Sequence, residues 1–260
     1  VKKTAPQNIL DHPRNARIEF LPEPHEYYYL ADDGQKVQFK GATSLIGDYT
    51  NYFDKQKASA GTAWKRSQET GVQVSQGEIL AEWKQTNQEA IDHGNYIHDA
   101  LETFVKNGEI VDAALIDAFV KSYETMGLEP IAAEWTIYDQ QIERASSIDG
   151  NFIALDGKYV IVDYKTNRKG VSYDSFGDQR MLFPLQGLYD SKYSSYSLQV
   201  SLYRYWVEKY YLDPKDVADL HYILWIGLDD AGQWIFDWMP ALDLRTEVEL
   251  IYNDQQALSN

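Results

Sequence analysis

The chain has 260 residues, 44% of them hydrophobic, and a formal charge of −16 from 40 acidic against 24 basic residues. It has no cysteine, which excludes disulfides, thiolate zinc sites and any iron–sulfur cluster held by cysteines. The acidic balance argues against tight non-specific nucleic-acid binding unless a local basic channel or bound divalent cations reverse the field.

No apolar run approaches bilayer length and no signal-peptide pattern opens the chain, so no membrane association and a cytoplasmic location are expected. Residues 25–48, HEYYYLADDGQKVQFKGATSLIGD, predict a hairpin turned at Asp32-Asp33-Gly34. From about 50 to 107 the pattern is helical, with Ile91, Ile97, Leu101, Phe104 and Val105 in one apolar stripe and Asn107-Gly108 as the stop. Another helix is expected over about 110–126, then a strand over 129–139 and a hairpin over 146–165. After Thr166 come about thirty residues rich in Gly, Ser, Asp and Tyr, which is long for a connection and points to function or disorder. Residues 197–212 predict a helix closed by Asp213-Pro214, and 220–228 and 233–239 predict strands around Asp230-Ala231-Gly232. A last helix begins near 242.

No repeat or linker divides the chain, so one domain over 1–260 is expected. It comprises a hairpin and helical arch in about 1–90, a core in about 91–240 and a C-terminal helix over about 241–260. Helix, three strands, helix, strand is a mixed α/β order with an N-terminal helical addition.

The stretch 145–170, ASSIDGNFIALDGKYVIVDYKTNRKG, carries the chemistry. Strand alternation puts Tyr159, Ile161, Asp163 and Lys165 on one face. A two-residue Asp156-Gly157 loop would pair Asp149 with Tyr164. A three-residue loop, Leu155-Asp156-Gly157, pairs Ala154 with Lys158 and sets Asp149 across from Asp163; a bulge at Gly150 is a second route to the same result. Two carboxylates about 5 Å apart beside a lysine suit a hard divalent cation. The plain alternative is a surface hairpin with a solvated Asp and Lys.

Gln199 and Tyr203 lie four residues apart and share a helix face. His98 sits at the edge of the apolar stripe, where a histidine is more often a satisfied core residue than a ligand.

Taken in order, Gly94-x-x-x-His98, Glu134, Asp149, Asp163-x-Lys165 and Gln199-x-x-x-Tyr203 resemble the PD-(D/E)XK nuclease superfamily, and within it the RecB-like branch with its phage-type exonucleases. The resemblance covers about 90–210, and more loosely 25–55. It implies a restriction-endonuclease-like core: a central mixed sheet flanked by helices. It implies Mg²⁺ or Mn²⁺ held by His98, Asp149, Asp163 and the Tyr164 carbonyl, Lys165 as catalytic lysine and Glu134 in support of the metal. Gln199 and Tyr203 would orient the active site or the DNA end. The four-cysteine iron–sulfur cluster of some relatives is impossible here. The acid before x-Lys is Asp163 rather than Glu, a variation found in this branch. The activity implied is exonucleolytic hydrolysis of DNA, single-stranded or at a duplex end, in phage or prophage recombination or repair. A single-strand annealing or binding protein would be a partner, and the bacterial host cytoplasm the location.

Bases cluster with aromatics in two places. Lys55, Lys57, Lys65 and Arg66 flank Trp64, and Thr166, Arg168 and Lys169 open a segment rich in Tyr and Phe. Interleaved aromatics and cations suit a single strand, though a chain with 20 Tyr and 7 Trp produces such mixtures in its core as well. The expectation is an arch of N-terminal helices and this loop beside the metal site. The competing readings are a structure-specific or nicking endonuclease on the same core and a non-catalytic acidic binding module on a decayed one.

Overall fold

A computed structural model describes residues 3–259; the expected bounds at 1–2 and 260 lie outside them. The chain is a mixed α/β protein whose central mixed sheet is flanked by helices. Its strands are β1 (Ile18–Leu21), β2 (Glu26–Leu30), β3 (Lys36–Gly41), β4 (Leu128–Asp139), β5 (Arg144–Ala154), β6 (Tyr159–Lys165), β7 (Tyr222–Leu228) and β8 (Trp234–Pro240). The helices are α1 (Ala42–Gly47), α2 (Lys55–Thr70), α3 (Gln76–Asn107), α4 (Ala113–Thr125), α5 (Lys192–Tyr210) and α6 (Arg245–Ser259).

β5 organises the sheet. Along one edge it pairs antiparallel with β4, from Leu128↔Ala154 to Asp139↔Arg144. Along the other it pairs with β6 over Gly150–Ile153 and, at its start, in parallel with β3 through Lys40↔Arg144 and Gly41↔Ala145. Between those two partners β5 has a free edge at Ser146–Asp149, and the candidate site opens there. β6 and β7 run parallel, joined through α5, and β8 closes the sheet antiparallel to β7.

β6 is buried on both faces, which explains its continuous apolar run. Tyr159 and Ile161 pack toward α5 and α6, whereas Val160, Val162 and Tyr164 pack toward α3 and α4. Each such side chain taken from water contributes roughly 1.5–3 kcal/mol. The β5–β6 loop has the three-residue form: Ala154 N donates to Lys158 O at 2.9 Å and Gly157 is left-handed at φ +81°.

Three expectations are corrected. The segment 25–48 is not a plain hairpin: after β3 it turns into α1, and β1, unforeseen, extends the hairpin to three strands. The helical stretch 50–107 is two helices, because Gly71 (φ +68°) closes α2 and Ser75 caps α3 in a reciprocal pair with Glu78. Ile91 leaves the apolar stripe and is exposed, because six residues before Ile97 lie about 120° away round a helix of about 3.6 residues per turn, off the face that carries Ile97 and Leu101. In addition, α5 starts five residues earlier than 197, at Lys192, capped by the Ser191 side chain.

The long connection 166–191 is tied down rather than loose. Leu182 N donates to Tyr49 O at 2.8 Å, and Asn51 Nδ2 donates to Arg180 O at 2.7 Å, while Met181 and Leu185 are buried.

Candidate active site

β6 runs to Asp163 and Lys165, both on the α5 face. Asp163 is 1% exposed, so its charge needs a partner, and Lys165 Nζ lies 2.5 Å from its Oδ2. The ammonium also sits 4.7 Å from the centroid of the Tyr196 ring. Burial raises the Asp163 carboxyl to about 6: Lys165 pulls it down and Asp149 pushes it up. Burial lowers Lys165, but Asp163 and Asp149 outweigh it and leave the ammonium above its ordinary value.

The register Gly150↔Val162 makes Asp149 the next residue opposite Asp163, but strand pairing stops one step short. The Tyr164 N–H is instead taken by Asp149 Oδ2 at 2.6 Å. Face alternation slips here. Ile148 belongs to the α5-side core and Phe152 to the α3/α4-side core, although four residues should return a strand to the same face. β4 slips opposite it, since Ala132 and Trp135 share the α5-side core, and Glu134 between them holds φ +50°. That left-handed conformation costs a non-glycine residue on the order of 1–3 kcal/mol and turns the Glu134 carboxylate out of line. Gly150 is required because a Cβ there would lie 2.6 Å from the Tyr164 hydroxyl.

His98, on α3, meets both carboxylates: Nδ1 is 3.5 Å from Glu134 Oε1 and 3.8 Å from Asp149 Oδ1. Ligand atoms of His98, Glu134 and Asp149 all lie within 4.8 Å of one another. Burial pulls His98 down, yet Asp149 and Glu134 overcome it and hold the imidazole at about 9. Burial drives Asp149 upward, with His98 opposing and Glu134 adding to the rise. Two carboxylates and one imidazole converging at a partly exposed position form a donor set that fits a divalent cation such as Mn²⁺ or Mg²⁺.

Thus Glu134, expected as a support, stands among the prospective ligands, whereas Asp163 stands outside that trio, paired with Lys165. The Tyr164 ring turns to the α3/α4 side, 5.8 Å from the His98 ring. Gln199 Nε2 donates to the Tyr203 hydroxyl at 2.6 Å, and that hydroxyl shares a hydrogen bond with Ser146 Oγ of β5 at 2.7 Å. The pair therefore braces β5 at its free edge. Thr166 abuts Gly94 of α3, where a Cβ would come within 3.1 Å of Oγ1; Arg168 and Lys169 are exposed just beyond. Lys65 and Arg66 do not join this group. Lys65 is exposed 3.8 Å from Glu69, and Arg66 makes two bonds to Glu82 that fasten α2 to α3.

Ser146 was not foreseen, and Tyr196, one of the aromatics after Thr166, was not expected beside Lys165. Tyr196 carried a readable signal, since it lies one turn before Gln199 and two before Tyr203. Ser146 carried none, because only tertiary pairing brings it to Tyr203.

No protein-family model matches the chain. No curated protein matches it. Among solved structures, the chain is similar to a candidate exonuclease from Eubacterium rectale, over 83% of this chain and 70% of that one, at 11% identity and a TM-score of 0.34. That likeness is too distant to bear on function. No helix among the described residues is long and apolar enough to cross a membrane.

Proposed function

We propose that the chain is a divalent-metal-dependent DNA exonuclease of the PD-(D/E)XK superfamily, on a restriction-endonuclease-like core. The observation that carries this reading is the convergence of His98, Glu134 and Asp149 within 4.8 Å beside the buried Asp163–Lys165 pair, at the free edge of one sheet.

His98, Glu134 and Asp149 would hold the cation, with Asp163 and the Tyr164 carbonyl as the neighbouring oxygen donors. When bound, the cation supplies Lewis-acid polarisation of a phosphoryl oxygen and an acidified water. Lys165 orients the attacking water and offsets charge developing on the phosphate, and Asp163 keeps the lysine's ammonium in place. Tyr203 and Gln199 hold β5, and with it Asp149, in register. Arg168, Lys169 and Thr166 meet the strand's phosphates and supply the local positive field that the overall charge of −16 lacks. The segment 166–191, fastened to residues 49–51 by the Leu182 N–Tyr49 O and Asn51–Arg180 bonds, would serve as one side of an arch beside the site; a threaded end, as against a nick, is decided by whether closed circles are cut.

The test pairs binding with turnover. Mn²⁺ or Mg²⁺ should raise the melting temperature, by an amount equivalent to about 2.7 kcal/mol at one hundred times Kd. The same ions should support nucleotide release from linear DNA. Asp149→Asn should lose both. A protein whose stability ignores both ions would be an acidic binding module instead.

A further inference from the structure

We infer that the cleft between α3 and the end of β7 is a nucleobase subsite, in which Trp225 stacks one base of the strand being cut and Arg168 holds the adjoining phosphate; this inference rests on the nuclease reading. The cleft has a volume of about 380 Å³ and is lined by Glu89 and His93 of α3, Thr166 and Arg168 after β6, and Trp225 and Leu228 of β7. Its size falls in the range of small-ligand sites, near its lower end.

Trp225 is built to present a fixed ring. It stands beside Lys165 in the parallel register, one strand spacing or about 4.8 Å away at the backbone. Its Nε1 donates to Asn167 O at 2.8 Å, which fixes the indole plane. The ring lies flat over Gly227, where a Cβ would come within 2.4 Å of it. A glycine inside a strand signals such a close approach, and any side chain there would push the indole out of place. His93 stacks on Trp234 at 6.2 Å with planes 10° apart on the α3 side of the sheet, so that side of the cleft is ordered, whereas Trp225 shares the α5 face with Lys165.

Charge decides which part of a nucleotide enters. Glu89 on the α3 wall repels a phosphate, whereas Arg168 lies on the side that continues from Lys165 and Thr166. A strand laid with its backbone past Arg168 and Thr166 reaches the reaction centre without a break, and its base turns into the apolar cleft against Trp225. Stacking of this kind tolerates sequence, because every base has a π-face.

The experiment is steady-state cleavage of linear oligodeoxynucleotides in which one abasic residue is walked along the strand. Wild type should lose affinity at one position next to the scissile bond, with KM rising roughly tenfold or more. Trp225→Ala should show that same rise on the intact strand, with kcat changed less than about threefold, and no further loss at that abasic position. Trp225→Phe should retain most of the affinity. Indifference of wild type to every abasic position overturns the subsite while leaving the nuclease reading intact. So does an equal abasic penalty in wild type and Trp225→Ala. If wild type cleaves no oligonucleotide with either Mg²⁺ or Mn²⁺, both readings fall. The abasic series on wild type and the Trp225→Phe variant decide the question even if Trp225→Ala fails to fold.

Discussion

Asp149 Oδ2 accepts the main-chain N–H of Tyr164 at 2.6 Å, so a side-chain carboxylate on β5 takes a β6 donor beyond the last ladder pair, Gly150↔Val162. One residue therefore both ties the end of β6 to β5 and offers its other oxygen to His98. These duties separate by substitution. Asp149→Asn keeps an acceptor for the N–H and removes the charge, whereas Asp149→Ala leaves the donor without a partner, at a cost of about 1–3 kcal/mol. Urea unfolding should rank the alanine variant below the asparagine variant by that amount, and cleavage should be lost in both.

The buried ion pair gives a second prediction. Removing one partner leaves an uncompensated charge, at a cost of about 3–5 kcal/mol, whereas replacing both with apolar groups of similar volume is close to neutral. Lys165→Met should therefore destabilise clearly, and the double variant Asp163→Leu/Lys165→Met should regain most of that loss while staying inactive. Chemical denaturation of the four proteins in the cycle measures the recovery.

Glu134 holds φ +50° in mid-strand. Glycine adopts that conformation without strain, so Glu134→Gly should be at least as stable as Glu134→Ala, by about 1 kcal/mol. Both should bind Mn²⁺ more weakly than wild type. Melting curves with and without the ion check both statements.

His221 predicts a pH dependence. Its Nδ1 accepts the Ile161 N–H at 2.9 Å, so protonation there would set two donors against each other. Burial, with Arg204 and Arg245 nearby and only Asp243 opposing, holds the imidazole down at about 3 against an ordinary 6.5. Between those values the unfolded chain binds the extra proton and the native one does not, so stability is lost as pH falls from 6.5 toward 3. The slope from this group is about 1.4 kcal/mol per pH unit. His221→Gln should be less stable near neutrality, and the gap to wild type should narrow by that slope as pH drops through this window.

Much of the β6 tip was legible because its information is local. Period-two alternation placed Asp163 and Lys165 on one face, and Gly157 marked the loop whose length sets the register. The Gly71 and Ser75-x-x-Glu78 signals between α2 and α3 were equally local but were masked by the helical patterns on either side. Other features were out of reach because they depend on distant pairings. Glu134 meets Asp149 only because β4 pairs along the whole of β5, and β3 joins β5 from a hundred residues upstream through a two-residue contact. The kink that turns Glu134 toward His98 has no signature in its neighbours. Glycine at 227 hinted at a close approach, but not that Trp225 supplies it.

The central claim, a metal-dependent nuclease acting from an end with Lys165 in the site, is tested most directly by one comparison. Linear and covalently closed circular single-stranded DNA are incubated with Mn²⁺ or Mg²⁺ and either wild type or Lys165→Ala. The account predicts loss of the linear strand alone, and only with wild type. Cutting of circles would contradict the threaded-end reading in favour of an endonuclease, and survival of both substrates with either ion would contradict catalysis itself.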